Sequence, residues 1–177
     1  MTNQMVQSSF ADDHVRLDQL LATYRQLKRV DFDQAKPVFK QFQVGLRRHI
    51  VQEERVLFPL FEEKTGMHDH GPTVVMREEH REIARRLEAL HEKVRSRDVE
   101  SDTEEDVLLE ILAAHNHKEE HILYPAIDRL LNDEEKAAAF RRMENLPVEA
   151  YQACCGWDPA GRAGADRYSP NRFVALH

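Results

Sequence analysis

Apolar residues recur at steps of three and four along four long segments of the chain, the spacing that places them on one face of an α-helix. The segments cover about residues 11–28, 33–63, 72–97 and 103–131. Only short pieces near the end of the chain alternate with the period of two that is typical of a strand. The pattern therefore predicts an all-α fold. The short connections between long helices favour an up-down-up-down four-helix bundle.

Local signals refine the ends of these helices. Pro37 falls in the first turn of the second helix if that helix begins at Asp33. Thr103 and Asp106 have a spacing like that of a capping box at the start of the fourth helix. Asp133 is a candidate N-cap for a short fifth helix.

The chain is expected to form one domain followed by a tail. Residues 10–146 would form the bundle, and residues 147–177 an irregular tail in which glycine, proline, alanine and arginine replace the helical pattern. Trp157, Tyr168 and Phe173 are the residues expected to anchor this tail to the bundle or to the second subunit of a homodimer.

An eleven-residue phrase occurs twice along the chain. It reads HIVQEERVLFP from His49 to Pro59 and HNHKEEHILYP from His115 to Pro125. Each copy contains a histidine and, four residues later, a glutamate, which a helix brings to one face about one turn apart. That spacing suits two ligands of one metal. Each copy ends in a proline, whose missing backbone donor bends or terminates a helix.

These histidines and glutamates fall on the apolar seams of their helices. Steps of four and three give matching seams in the second and fourth helices: Phe42, Leu46, His49, Glu53, Val56, Leu60 and Leu108, Leu112, His115, Glu119, Ile122, Ala126. The third helix gives Met76, His80, Ile83, Leu87, Leu90, and the first gives Phe10, His14, Leu17, Leu21, Tyr24. Every helix therefore directs at least one histidine into the core.

Two glutamates and four histidines in one core would strongly destabilise a bundle without a cation, because buried charge without a partner is costly. The sequence therefore predicts a metal site formed by His14, His49, Glu53, His80, His115 and Glu119. Imidazole and carboxylate donors without thiolates suit iron or manganese better than a closed zinc site, although such sites also accept zinc. Six ligands are too many for one reactive ion. They suit two ions bridged by Glu53 and Glu119, roughly 3.5–4 Å apart.

Composition and charge narrow the class of protein. A formal net charge of −7 lacks the positive footprint of a nucleic-acid binder. The first residues lack the features of a signal peptide, and no apolar run approaches the roughly 18 residues of a membrane span. Cys154 and Cys155 are adjacent, cannot close a long loop by a disulfide, and fit a reducing compartment. We therefore expect a cytoplasmic protein without nucleic-acid or membrane partners.

The ordered set of candidate ligands resembles the motif of the hemerythrin HHE cation-binding family, in which a histidine, an H-x-x-x-E pair, a histidine and a second H-x-x-x-E pair follow one another. Here these elements are His14; His49 and Glu53; His80; and His115 and Glu119. The resemblance covers about residues 10–131. It implies a four-helix bundle that holds a carboxylate-bridged, non-haem di-iron centre. Members of the family bind or respond to oxygen, nitric oxide, peroxide or iron.

The chain departs in two respects from the oxygen-carrying proteins that it resembles. They supply two histidines, one turn apart, from the third helix, whereas Met76 and Ala84 flank the single histidine here, which leaves a position for water or for Glu79. They also place the second bridging carboxylate five residues after its histidine, at Glu120 in this chain. We favour Glu119, because Glu120 is rotated by about 100° from the seam.

The residues leave more than one function open. The first is a metal-binding protein whose di-iron centre binds or senses oxygen, nitric oxide or iron. The alternative is a di-iron oxidoreductase that consumes peroxide or reduces oxygen, which the absent fifth histidine favours. A bundle that the metal only stabilises is a third reading.

Two further pairs of residues mimic metal sites. His117 and His121 lie roughly 160° or more around the helix from His115, so we expect them on the surface. Glu88 and His91 have the E-x-x-H spacing of ferritin-like di-iron proteins. That pair occurs once, without a partner copy, and is interpreted as chance.

Overall fold

The structure, a computed structural model, describes residues 5–153, and every regular element in that range is helical. The α-helices are α1 Val6–Leu27, α2 Phe32–Gln52, α3 Phe58–Thr65, α4 Pro72–Arg95, α5 Asp102–Lys118, α6 Tyr124–Leu130, α7 Asp133–Glu144 and α8 Val148–Ala153. Two π-helical segments, π1 Glu53–Leu57 and π2 Glu119–Leu123, complete the series. The predicted all-α fold is confirmed. None of the helices in this range is long and apolar enough to cross a membrane.

Two long helices contain the repeated phrase. In the first, π1 joins α2 to α3, and in the second, π2 joins α5 to α6. Helix α1 packs along α2, and α4 packs along α5. The start of the chain also contacts the end of the second long helix through α1 and α6.

A side chain of α6, far along the sequence, stabilises the start of α1. The N-cap of α1, Met5, makes no side-chain hydrogen bond. Instead, the backbone N–H groups of Val6 and Gln7 donate to the two carboxylate oxygens of Asp128, at 2.8 and 2.9 Å. A carboxylate at a helix N-terminus satisfies unpaired donors and interacts favourably with the helix dipole. Asp128 therefore fixes the helix that carries His14 to α6.

The second helix begins one residue before the predicted start. Asp31 is its N-cap and accepts a hydrogen bond from the N–H of Gln34 at 3.0 Å. Pro37 therefore lies in the second turn of α2, not in the first as predicted. At the far end, Gly66 closes α3 with a φ of 73°, a left-handed conformation that glycine adopts without steric cost.

The predicted capping box at Thr103 and Asp106 is wrong, because α5 already begins at Asp102. Ser101 stands at the N-cap position, but its hydroxyl donates to the carboxylate of Glu105 at 2.5 Å. The buried ammonium group of Lys28 explains this choice. It donates to Glu105 at 2.6 Å and to Ser101 at 3.1 Å, so the serine joins a buried charge network.

The start of α7 and the start of the tail also differ from the prediction. Asn132, not Asp133, caps α7, through a reciprocal capping box with Glu135. Beyond Pro147, where an irregular tail was predicted, the six residues of α8 are helical. Tyr151 of α8 is held there because its ring packs in a small apolar cluster with Val51 and its hydroxyl donates to the carbonyl of Leu146 at 3.0 Å. Cys154, Cys155 and the three predicted aromatic anchors lie outside the described residues.

Two apolar clusters fill the core, one above the other along the helices. The first includes Leu17, Leu46, Ile83 and Leu112, and the second includes Phe10, Val56, Met76 and Leu123. On each long helix, a candidate ligand lies between a residue of the first cluster and a residue of the second. The six candidate ligands therefore form a polar layer that is enclosed by apolar side chains on both sides.

Candidate metal centre

Each copy of the repeated phrase places its glutamate at the first residue of a π segment. The wider turn is defined by an N–H bond to the carbonyl five residues earlier, from Phe58 to Glu53 and from Tyr124 to Glu119. The residue after each of these donors is proline, which has no N–H to continue the pattern. In the second copy the side-chain amide of Gln7 donates at 2.9 Å to the carbonyl of Glu120, which a continued π pattern would have paired with Pro125.

The structure brings all six predicted residues together, and each is at most 5% exposed. They form two groups in which one ligand atom of every member lies within 4.8 Å of the others. The first group contains Glu53, His80, His115 and Glu119, and the second contains His14, His49 and Glu119. Glu119 is therefore shared, with Oε1 at 3.1 Å from Nε2 of His115 and Oε2 at 3.4 Å from Nε2 of His14.

The other glutamate also reaches residues of both groups. Oε2 of Glu53 lies 3.2 Å from Nε2 of His80 and 3.7 Å from Nε2 of His49. The carboxylate of Glu53, like that of Glu119, therefore lies between the two groups. The two carboxylates occupy the middle of the layer, and the four histidines surround them.

Each of the four candidate histidine ligands donates a hydrogen bond from Nδ1 to a carboxylate outside the centre. The pairs are His49 with Asp13 at 2.9 Å, His80 with Glu54 at 2.9 Å, His115 with Glu79 at 2.9 Å and His14 with Glu120 at 2.7 Å. Such a bond places the ring proton on Nδ1 and leaves the lone pair on Nε2, the arrangement found around metal-binding histidines. All four Nε2 atoms contact atoms of the central layer.

The four outer acids connect the helices in a closed ring. Each is the sequence neighbour of one candidate ligand but bonds to a histidine on a different helix: Asp13 of α1 to His49 of α2, Glu54 of π1 to His80 of α4, Glu79 of α4 to His115 of α5, and Glu120 of π2 to His14 of α1. The orientation of every histidine is therefore fixed by a neighbouring helix. Sequence reasoning did not identify this ring, although an acid next to a candidate ligand was its visible signal.

Polar atoms in the centre lack the partners that burial demands. Oε2 of Glu53, Oε1 of Glu119 and Nε2 of His80 are buried without a hydrogen-bond partner among the described residues. Nε2 of His14 and Nε2 of His49 face each other at 3.0 Å, a contact that needs a shared proton or cation. A buried polar atom without a partner costs about 1–3 kcal/mol. The donor set therefore fits a bound cation.

Burial and neighbouring charges shift the pKa values of the groups in this layer in different directions. Burial, together with the charge of Glu119, raises the pKa of Glu53 well above its usual value. Burial would raise the pKa of Glu119 as well, but the neighbouring rings of His115 and His14 hold that pKa well below its usual range. Burial opposes the charge of His14, yet Glu119 and Glu120 outweigh it and raise the pKa of His14 to about 9. Burial lowers the pKa of His49.

Tyr124 is a residue of the centre that sequence reasoning missed. It is fully buried, and its hydroxyl donates to Oε1 of Glu53 at 2.6 Å and to Oε2 of Glu119 at 2.9 Å. Burial raises the pKa of this phenol well above its usual value, and both carboxylates add to the effect. The signal in the sequence was the difference between LFP and LYP in the two copies of the phrase.

The π segments also explain why the predicted seams shift after the glutamates, at Leu60 in the first copy, beyond buried Val56, and at Ile122 in the second. Ile122 was predicted in the core but is 60% exposed, whereas Leu123 and Tyr124 are buried. In the first copy Leu60 is only half-buried, and Phe61 takes its place in the core. Each π segment adds one residue to the turn, so the inward face moves on by one position.

The predicted surface histidines stay outside the centre. His117 and His121 are exposed, and Nδ1 of His121 donates to the carbonyl of His117 at 2.9 Å. Glu88 and His91 contact each other at 3.5 Å, and neither belongs to the two groups. Glu79, considered above for the vacant ligand position, instead binds the outer edge of His115 and the ammonium group of Lys118.

A small cavity and a larger groove adjoin the centre among the described residues. The small cavity, of about 10 Å³, is bordered by His14, His49 and His115, by the polar residues Asp18 and Asn116, and by apolar side chains. A much larger groove, of about 720 Å³, runs between α1, α2 and α7. Of the six candidate ligands it touches only His49, beside the outer acid Asp13.

Comparison with known proteins agrees with this geometry. Residues 6–149 match the family model described as the hemerythrin HHE cation binding domain. The iron-sulfur cluster repair protein YtfE of Edwardsiella ictaluri (strain 93-146) is 44% identical over 45 residues, which cover 25% of this chain and 20% of that protein. This chain therefore matches about a fifth of the length of that relative. No solved structure matches the chain. Since the family model covers most of the sequence, the chain belongs to the hemerythrin HHE cation-binding domain family.

Proposed function

We propose that this chain is a non-haem di-iron protein whose centre binds or senses a small molecule. Two ions would be held by His14, His49, Glu53, His80, His115 and Glu119, with the two glutamates as bridges. The observation that carries the proposal is the sharing of Glu119 by two groups of buried ligand atoms. Imidazole and carboxylate donors without thiolates support iron, and they would also accept zinc or manganese.

The ring of outer acids supports the finer architecture that belongs to this proposal. The hydrogen bonds connect α1 to α2, π1 to α4, α4 to α5 and π2 back to α1. An up-down-up-down bundle of four long helices would place consecutive helices side by side and return the fourth to the first. We propose that arrangement for the helices that hold the metal.

The small cavity beside the histidines supports a ligand of a few atoms. A cavity of about 10 Å³ accommodates about one water-sized molecule. Its lining combines His14, His49 and His115 with Asp18, Asn116 and several apolar side chains. Oxygen and nitric oxide fit this description, whereas an organic substrate is too large. Met76 and Ala84 flank His80, so the second histidine that the oxygen carriers have on this helix is missing, which leaves a ligand position for such a molecule.

Iron loading with a spectroscopic readout tests the proposal. The full chain would be loaded with ferrous iron under anaerobic conditions, freed of excess metal, and analysed for iron per chain. The visible spectrum would then be recorded before and after oxygen or nitric oxide is added. We expect two irons per chain and a spectral change with at least one of the gases. One metal per chain, or an unchanged spectrum with both, would contradict the proposal.

A di-iron oxidoreductase that consumes peroxide or reduces oxygen is the second candidate. The observation that favours it is the absence of a fifth histidine, because an open ligand position permits turnover where an oxygen carrier needs a stable adduct. Peroxide consumption by the iron-loaded protein, compared with the same amount of free iron, tests this function. Turnover no faster than that of free iron would exclude it.

The name of the matched relative suggests one further assay. That relative is called an iron-sulfur cluster repair protein, and the match covers 45 residues. Delivery of iron from the loaded protein to a damaged iron–sulfur protein, followed by the recovery of the cluster spectrum, would test the same role for this chain.

A further inference from the structure

The hydroxyl of Tyr124 lies among the candidate ligand atoms. It is 2.6 Å from Oε1 of Glu53, 2.9 Å from Oε2 of Glu119 and 3.3 Å from Nε2 of His49. The side chain is fully buried, so no water competes from the surface. A phenol oxygen in this position contacts three atoms that are each expected to bind a metal.

The two groups whose ligand atoms all lie within 4.8 Å of one another are unequal without this oxygen, because Glu53, the second proposed bridge, belongs to only one of them. One contains four residues and the other three, His14, His49 and Glu119. Adding Tyr124 to the smaller group gives a closed circuit of four donor atoms. Its successive separations are 2.9 Å from Tyr124 to Glu119, 3.4 Å from Glu119 to His14, 3.0 Å from His14 to His49 and 3.3 Å from His49 back to Tyr124.

These separations are those of adjacent ligands around one ion. Donor atoms about 2.1 Å from an octahedral metal lie about 3.0 Å apart when their bonds are at right angles. The four separations, from 2.9 to 3.4 Å, cluster around that value. Phenolate is a hard oxygen donor that suits ferric iron, and tyrosine serves as an iron ligand in other proteins.

We propose that Tyr124 is a metal ligand and completes the set formed by His14, His49 and Glu119. The proposal rests on the di-iron function above. As the iron–oxygen bond forms, the O–H bond of the phenol breaks and its proton passes to the buffer. The two ions are then chemically different, because one has a phenolate ligand and the other does not.

The first copy of the repeated phrase supplies no equivalent donor. Phe58 stands where Tyr124 stands in the second copy, one residue beyond the π segment. Its ring stacks on His80, with centroids 5.6 Å apart and an angle of 9° between the planes. The aromatic residue that follows the π segment is therefore a proposed ligand in the second copy, Tyr124, and a packing residue in the first copy, Phe58.

The test is the colour of the ferric protein. Ferric iron with a phenolate ligand absorbs visible light by charge transfer from the ring, and resonance Raman excitation in that band enhances the ring vibrations of the bound tyrosine. We expect both signals in the iron-loaded, air-oxidised wild-type chain. Tyr124→Phe, which changes LYP into the LFP of the first copy, should lose both while the protein stays helical.

The matched control is Tyr24→Phe, since Tyr24 is also fully buried but lies in the first apolar cluster. It should keep both signals. Growth of the wild-type protein with ring-deuterated tyrosine should shift the enhanced vibrations, and this measurement does not depend on the folding of a variant. Ferric protein with two irons and no such vibrations would overturn the ligand role of Tyr124 alone. Failure to retain iron at all would instead overturn the di-iron function.

Discussion

Oε1 of Glu120 lies 2.7 Å from Nδ1 of His14, so the acid that follows Glu119 orients a histidine of another helix. The two neighbouring glutamates, Glu119 and Glu120, differ in burial and therefore in the role that each can have. The carboxylate of Glu119 is fully buried in the middle of the layer, and that of Glu120 remains at the outer edge. Glu119 thus lies where a bridging ligand is expected, and Glu120 lies where a hydrogen bond can fix a ring.

Replacement of this outer acid should weaken metal binding without abolishing it. Outer hydrogen-bond partners of metal-binding histidines typically contribute about 10–100-fold in affinity. We expect Glu120→Gln to lower the affinity for ferrous iron by that factor, measured by competition with a coloured chelator. Glu110→Gln, at an exposed position of α5, is the control. Equal affinities of the two variants would contradict the orienting role of Glu120.

The shared carboxylate should matter more for stoichiometry than any other residue of the centre. We expect Glu119→Ala to lose both ions, because Glu119 belongs to both groups of ligand atoms. Glu53→Ala should also lose metal strongly, and retention of both ions in that variant would refute its bridging role. His117→Ala, an exposed neighbour of the centre, should keep the wild-type metal content. Elemental analysis of the number of metal ions per folded chain tests these expectations.

Metal binding should release protons, because the raised pKa values of Glu53 and His14 favour protonation and a cation must displace those protons. The pKa of His14 is raised to about 9 in the folded protein, so the stability it contributes is fully present below pH about 6.5 and is lost as the pH rises through 9. The raised pKa of Glu53 acts in the same direction. We expect the Tm of the chelator-treated protein to fall between pH 6.5 and 9.

Calorimetry in buffers of different ionisation enthalpy measures this proton release directly. At pH 8 the apparent binding enthalpy should vary with the buffer, with a slope that corresponds to released protons. A buffer-independent enthalpy, together with a flat dependence of Tm on pH, would contradict the protonation states described for the centre.

The cavity beside the histidines should control access of the small ligand. Leu46→Phe adds volume at a residue that borders this cavity, three positions before His49. Overpacking typically costs about 1–3 kcal/mol of stability. We expect the variant to retain its iron but to react with nitric oxide at least tenfold more slowly in stopped-flow measurements. Leu90→Phe, which overpacks the first apolar cluster away from the cavity, should react at the wild-type rate.

The π segment in the second copy decides which of two neighbouring residues contributes more to stability. A regular α-helix at this place would give the opposite order. Leu123 is buried and Ile122 is 60% exposed. Leu123→Ala should therefore destabilise the protein by about 2–5 kcal/mol. Ile122→Ala should change the free energy of unfolding by no more than about 0.5 kcal/mol. Urea denaturation of both variants distinguishes them, and a larger loss for Ile122→Ala would place the inward face one residue earlier.

The hydrophobic pattern was sufficient to predict the long helices and the convergence of the six candidate ligands in the core. Their periodicity is local, and each helix positions a histidine or a glutamate by the same rule that positions its leucines. His14 is the clearest case. It lies far from the repeated phrase in sequence, but the seam of α1 alone predicted that it would point into the core.

Features that depend on contacts between helices could not be predicted in this way. The pairing of Asp13 with His49 joins side chains on different helices, and nothing in the local sequence selects one histidine over another. Ser101 failed as a cap because buried Lys28 attracts it, which is also a tertiary effect. Tyr124 was missed because its place in the core depends on a π turn, and a 3.6-residue period cannot reveal a change in that period.

Each π segment is equivalent to the insertion of one residue into an α-helix, and the two insertions occur at the same place in the two copies of the phrase. A helix with an ordinary 3.6-residue seam would lack one residue after each glutamate. An alignment of this chain with a regular helical bundle must therefore open a gap at both points. Without those gaps it would pair exposed Ile122 with a core position and displace Tyr124 by one position.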